Sequence, residues 1–304
     1  MLVFWHHYPL PEKISCAYNK PPFLLPSRAS PFPSRSKLRL KYSLKYCCFK
    51  NEIAETPSKD KQGFSVLESD NNPWDNGSVW STMALYMFYL HIPFGVGGLS
   101  IAAYVLHQPA GLDPQSQVLS LLVMQILELA GTLLLLKNTI KPQYKLAHFF
   151  RHNISEERNL VLASALGLSF LILLVFLSSL LIDTFIEAKA VNNPIVKEIL
   201  QSSDIARAAC ILVYCIITPV LEETVYRGFL LTSLSSTMSW FHAVAISSAI
   251  FSGAHFSGEN FIQLFIIGCV LGSSYCWTGN LTSSFLIHSL YNALTLLITY
   301  YLRY

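Results

Sequence analysis

From Ile205 to the end of the sequence at Tyr304 the only formal charges are Arg207, Glu222, Glu223, Arg227, Glu259 and Arg303. No soluble domain could cover its surface with so few. Such domains are about 25% charged, whereas this chain is 13% charged and 52% hydrophobic. The solvent that suits the segment is a lipid bilayer.

Apolar runs place spans at Thr82–Leu106, Gln117–Leu136, Leu160–Ile182, Ala208–Leu231, Phe241–Phe256, Phe261–Trp277 and Leu281–Leu302. Most approach the roughly 17–25 residues that cross a membrane as a helix, the fifth and sixth being short. The expectation is an all-α, polytopic membrane helix bundle of about seven transmembrane helices, within a range of about six to eight. There is no internal repeat.

The first fifty residues differ in kind. They hold nine Lys or Arg, seven Pro and a single acid, Glu12. A basic, Ser-rich, acid-poor composition without an apolar core predicts a disordered organelle transit segment over 1–50, with Ser and Pro favouring a plastid. A basic cytoplasm-facing tail is the plainer alternative. Residues 51–78 read as a polar, turn-rich linker. Lys137, Lys141, Lys145, Arg151 and Arg158 between the second and third spans orient that loop, and the amino-terminal end with it, toward the stroma or its equivalent. Cys210, Cys215, Cys269 and Cys276 form no CxxC pair and read as small buried hydrophobes.

The fourth span poses the chemical question. It contains ITPVLEETVYRGFLL, with Glu222, Glu223 and Arg227 amid apolar residues. One charge at the centre of a membrane helix costs about 2.5–3.5 kcal/mol, so three unpaired ones would approach roughly 8 kcal/mol. They must meet each other or a wet cavity. Glu223 and Arg227 are four apart and stack on one helical face. Glu222 is rotated by about 100° and is left over. A carboxylate so placed suits general acid–base chemistry; the plainer reading is a charge cluster that locks two helices together.

Two further spans carry polar pairs. FSGAH sets Phe251 and His255 four apart, and HSLYN sets His288 and Asn292 four apart. A lone His in an apolar helix is usually a satisfied core residue. Two His, an Asn and a spare Glu on three helices are best accommodated in one shared cavity.

These motifs, EExxxR, FxxxH and HxxxN in that order, resemble the signature of the CAAX-processing and bacteriocin-processing intramembrane proteases, the Abi, CPBP or type II CAAX prenyl endopeptidase family. The resemblance covers about Ala208 to Leu302, and it makes 79–207 the amino-terminal membrane helices and 208–304 the catalytic ones. It implies a metal-independent endopeptidase without a cofactor. Glu222 and His255 would activate water, and His288 and Asn292 would stabilise the oxyanion. Glu223, Arg227 and Phe251 would support the site. The implied partners are membrane lipid and a membrane protein or peptide substrate, with no nucleic acid. The implied location is a chloroplast membrane, thylakoid or inner envelope, with the endoplasmic reticulum as the alternative. A catalytically silent scaffold using the same cavity is the competing function, and a transporter is disfavoured by the lack of paired broken helices. No HExxH or GxSxG occurs, although two His and two Glu are also metal-ligand types.

The remaining polar residues have structural readings. Gln125 and Glu128 face the cavity or pair with a basic group elsewhere, without a catalytic role. Glu259 and Asn260 begin the sixth span, and His242 belongs to a span end. Gly268 and Gly272 suit close helix packing.

Overall fold

The computed structural model describes residues 64–67, 72–108, 111–144, 159–186 and 194–301. The transit segment expected at 1–50 lies outside the described residues, as does most of the linker at 51–78. Among the described residues every regular element is a helix.

Helices α1 (Val79–Val96) and α2 (Gly98–Val105) form one apolar run bent by 55°. The cause is local. Pro93 supplies no N–H and its ring crowds the preceding turn. The backbone widens into a π-helix over Tyr86–Val96, and Gly97 N–H reaches back five residues to the Ile92 carbonyl at 2.8 Å. Helix α3 (Pro114–Thr139) starts on Asp113, which accepts from Ser116 N–H at 3.0 Å. Pro114 opens that helix where an N–H would have no partner.

Helix α4 (Leu160–Ile186) is capped by the Asn159 amide oxygen, which accepts from the N–H groups of Val161 and Leu162. Leu166, Phe170, Leu173 and Phe176 are exposed along it, an apolar surface that belongs in lipid. Helix α5 (Pro194–Ser202) lies between the third and fourth spans, where the apolar runs placed no element. Its buried Val196, Ile199 and Leu200 lie at i, i+3 and i+4, so one face packs inward while Lys197 and Glu198 stay outside the core. Charge in the loop masked this periodicity.

Helix α6 (Asp204–Ser235) is the longest, at 32 residues, and is capped by Ser203, whose hydroxyl accepts from Ala206 N–H. Helix α7 (Trp240–Ala254) has only 15 residues. At 1.5 Å per residue it falls short of a hydrocarbon core about 30 Å thick. Helices α8 (Phe261–Thr278) and α9 (Leu281–Tyr301) are joined at Gly279, whose φ of 65° is the left-handed helix-ending conformation that glycine adopts without strain.

Five of these helices are long and apolar enough to cross a membrane, or six if the bent pair is one span. The expected seven apolar segments are all present and helical, and α7 is the one that fails on length. With its apolar exterior, the chain is a multi-pass membrane protein. Helix α8 packs against α4, α7 and α9, while α3 packs against α1 and α6. At Gly268 an added Cβ would lie 2.8 Å from Ser248 Cβ, so the α7 and α8 backbones approach closely there, as expected from the two glycines.

Candidate active site

Helix α6 is built to be irregular where its charges lie. Its backbone is π-helical over Val213–Ile217, α-helical over Thr218–Glu222, and π-helical again over Glu223–Leu231. Widened turns of this kind concentrate at functional sites. The first has an evident cause in Pro219, which has no N–H for the carbonyls one turn earlier. Helix α9 supplies substitutes. Asn292 Nδ2 donates to the Tyr214 carbonyl at 2.8 Å, and the Ser289 hydroxyl donates to the Cys215 carbonyl. The carbonyls exposed by a proline in one helix thereby dock the helix that carries HxxxN.

The motif residues converge. Glu223 Oε1 accepts from Arg227 Nη1 at 3.0 Å and from His288 Nδ1 at 2.8 Å. Arg227 also donates to the Gly268 carbonyl at 3.3 Å and lies 4.5 Å over the Phe251 ring. The guanidinium is thus held by a carboxylate, a carbonyl and an aromatic face, all in the interior. Glu222 is excluded from this pairing, as its rotation on the helix implies. Its Oε1 lies 3.7 Å from His255 Nε2, and its Oε2 lies 3.7 Å from His288 Nε2. All of these side chains are buried, with His288 at 0% exposure although Glu222 is at 6%.

Hydrogen-bond partners fix the rings. His255 Nδ1 lies 2.7 Å from the Phe251 carbonyl, which can only accept, so Nδ1 carries hydrogen. His288 Nδ1 likewise donates to Glu223. In the neutral rings both Nε2 atoms therefore present lone pairs toward Glu222. A second proton is needed before His288 Nε2 can donate.

A second polar cluster adjoins the first. His91 Nδ1 pairs with Glu128 Oε1 at 2.9 Å, and the Tyr86 hydroxyl donates to the same oxygen at 3.1 Å. Gln125 Nε2 donates to Glu128 Oε2 at 3.0 Å, and the Thr218 hydroxyl donates to Gln125 Oε1 at 3.3 Å. Between the clusters is a cavity of about 40 Å³, which has room for a few waters. Tyr86, His91, Gly95, Gln125, Glu128, Thr218 and Glu222 line it, with Leu121, Val213, Tyr214 and Leu221. Glu222 faces the histidine pair on one side and this cavity on the other.

Glu222, Glu223, Arg227, Phe251, His255 and His288 are thus brought together, while Asn292, one turn along α9 from His288, is docked on the Tyr214 carbonyl. Of the two residues read as structural, Glu128 pairs with a basic group in another helix, His91, and Gln125 bonds to Glu128 and Thr218; both also line the same cavity as Glu222. His91 and Tyr86 were missed. The available signal was that His91 and Glu128 are ionisable residues in the first and second apolar runs, and each needed a partner. His242 is exposed at the start of α7 beside Ser239, as expected of a span end. Among the described residues no group of three His, Cys, Asp or Glu side chains has the arrangement of a metal site.

A family model described as Type II CAAX prenyl endopeptidase Rce1-like matches residues 204–294. The matched segment begins with α6 and ends within α9, so it contains all three motifs, while α1 to α5 lie outside it. At the level of family resemblance this supports a CAAX-type membrane peptidase. No curated protein and no solved structure matches the chain.

Proposed function

We propose that this protein is an intramembrane endopeptidase that hydrolyses peptide bonds with a water held by Glu222 and His255. The observation that carries the reading is the position of the Glu222 carboxylate, 3.7 Å from Nε2 of both His255 and His288. That spacing is too long for a direct hydrogen bond, and a water seated beside the pair can contact both groups. The water donates to Glu222 and to the His255 lone pair. Its oxygen attacks the peptide carbonyl as Glu222 takes the proton. Protonated His288, through Nε2–H, and the Asn292 amide stabilise the oxyanion. The carbon–nitrogen bond then breaks, and the proton held at Glu222 passes to the leaving nitrogen, giving a carboxylic acid and an amine. Glu223, Arg227 and Phe251 hold this geometry, and no metal or other cofactor takes part in these steps.

We place the protein in a chloroplast membrane, thylakoid or inner envelope, on the basic, acid-poor composition of 1–50. There the substrate is a membrane protein or peptide without a prenyl group. At the endoplasmic reticulum, the alternative, a prenylated CAAX peptide suits the family resemblance. A carboxy-terminal fluorescent fusion separates the two locations.

The catalytic reading is tested with the full chain in nanodiscs, using internally quenched peptides with and without a farnesylated CAAX terminus. Membrane proteomes of cells carrying wild type or Glu222→Gln provide the complementary screen. Cleavage by wild type and none by Glu222→Gln is the expected result. Equal turnover by the two overturns it. A Glu222→Gln protein that fully restores a deletion phenotype would instead favour the silent scaffold.

A further inference from the structure

The Glu128 cluster lies outside the matched family segment, yet it reaches the backbone beside a proposed water-holding residue. His91 Nε2 donates to the Ala254 carbonyl at 3.1 Å. Ala254 ends α7, and its peptide leads directly into His255. The last carbonyls of a helix have no partners within it and must be satisfied from elsewhere.

This helix end needs outside restraint for a second reason. His255 N–H reaches back three residues to the Ser252 carbonyl, at 3.2 Å, and the next residue, Phe256, has φ of 49°. The chain leaves α7 through a left-handed residue that is not glycine, a conformation that persists when surrounding contacts impose it. The ring is tied through Nδ1 to the Phe251 carbonyl, so where its Nε2 points depends also on where the Ala254 peptide sets the His255 backbone.

Chemistry sets the orientation of His91. The Ala254 carbonyl is an acceptor, so Nε2 carries hydrogen. Nδ1 then shares a proton with Glu128, and Tyr86 and Gln125 hold that carboxyl group by one oxygen each. The result is a chain from α3 through α1 to the end of α7, in the manner of outer partners that orient the ligands of a catalytic centre.

We propose that His91, oriented by Glu128, Tyr86 and Gln125, is a positioning residue that locks the Ala254 peptide and thereby aims the His255 ring at Glu222. The proposal rests on the proteolytic reading for its effect on rate, but not for its effect on the ring.

Two substitutions separate its parts. Gln places an amide nitrogen near the position of Nε2, so His91→Gln keeps the donor to Ala254. Asn places its amide near Nδ1, so His91→Asn keeps a contact with Glu128 and loses Ala254. In the purified full chain in nanodiscs, the ring ¹⁵N signals of His255 are assigned by their loss in His255→Gln. His91→Asn shifts them, and His91→Gln leaves them close to wild type. With a cleavable quenched peptide, kcat falls by about 10–100-fold in His91→Asn with KM within about twofold, and His91→Gln recovers most of it. If His91→Asn does not fold, Gly95→Ala replaces it. Its added Cβ would lie 2.9 Å from Glu128 Oε2 and 3.1 Å from His91 Nδ1, displacing the same pair. Unmoved His255 signals in the folded variant overturn the proposal, even if thermal stability drops. Shifted signals with no hydrolysis by wild type would sink the proteolytic reading and leave the positioning role standing.

Discussion

Asn292 donates its side-chain amide to the carbonyl of Tyr214 at 2.8 Å, one turn before a proline that has no N–H to give. The asparagine of the HxxxN motif therefore has a docking role in addition to any part in catalysis. In the proposed mechanism the oxyanion takes its second amide hydrogen.

The two roles can be separated by a double-mutant cycle. Asn292→Ala leaves a buried carbonyl without its partner and should destabilise the protein by about 1–3 kcal/mol. Pro219→Ala restores an N–H to that turn. The double variant should be less destabilised than the sum of the single ones, measured by thermal unfolding in a fixed detergent. Activity should fall by about 10²-fold in Asn292→Ala and should not return with Pro219→Ala. Recovery of both together would make the asparagine purely structural.

Removing the guanidinium should be severe. Arg227→Met leaves the Glu223 carboxylate buried opposite His288 without its arginine, and breaking such a pair destabilises by about 3–5 kcal/mol. Replacing both, as Glu223→Leu with Arg227→Met, should recover much of that stability without restoring hydrolysis. Unfolding midpoints of the two variants decide the point, and a double variant less stable than Arg227→Met would contradict the pairing.

Close approach of α7 and α8 gives a steric prediction. Gly268→Ala sets a Cβ 2.8 Å from Ser248 Cβ and 3.1 Å from its Cα, so the helices must part. A loss of about 1–3 kcal/mol is expected, as for overpacking of a filled core. Gly253→Ala is the control, because an added Cβ there meets nothing within 4 Å. Equal stability of the two variants would mean that the helices are not in contact at Gly268.

The cap of α3 should titrate. Hydrogen bonds from the Ser116 hydroxyl and N–H hold the Asp113 carboxyl below its ordinary range. Its folded value is the lower one, so its contribution to stability is complete above the unfolded value of about 3.9 and is lost as pH falls through the folded value. Asp113→Asn keeps an acceptor that does not titrate. The Tm difference between wild type and this variant should be constant from neutral pH down to about 5 and should shift against wild type below about 4. A difference that stays flat to pH 3 would count against the cap.

Charge scarcity after Asp204 was enough to dictate a membrane bundle, because no other solvent tolerates so bare a surface. Four-residue spacing was enough to pair Glu223 with Arg227 and to set Glu222 aside, because a helix fixes which side chains share a face. Local spacing also placed Phe251 beside His255, since four residues separate them on α7. It hid α5, where a buried Val196, Ile199 and Leu200 face is interleaved with Lys197 and Glu198.

What one-dimensional spacing could not supply was any relation between separate helices. The approach of His255 and His288 to Glu222, the capture of the Tyr214 carbonyl by Asn292, and the reach of His91 from α1 to the end of α7 all depend on how helices cross. Crossing is set by side-chain packing and by which stranded carbonyl finds a donor. Those are properties of surfaces brought together from distant parts of the chain, so the tertiary structure alone decided them.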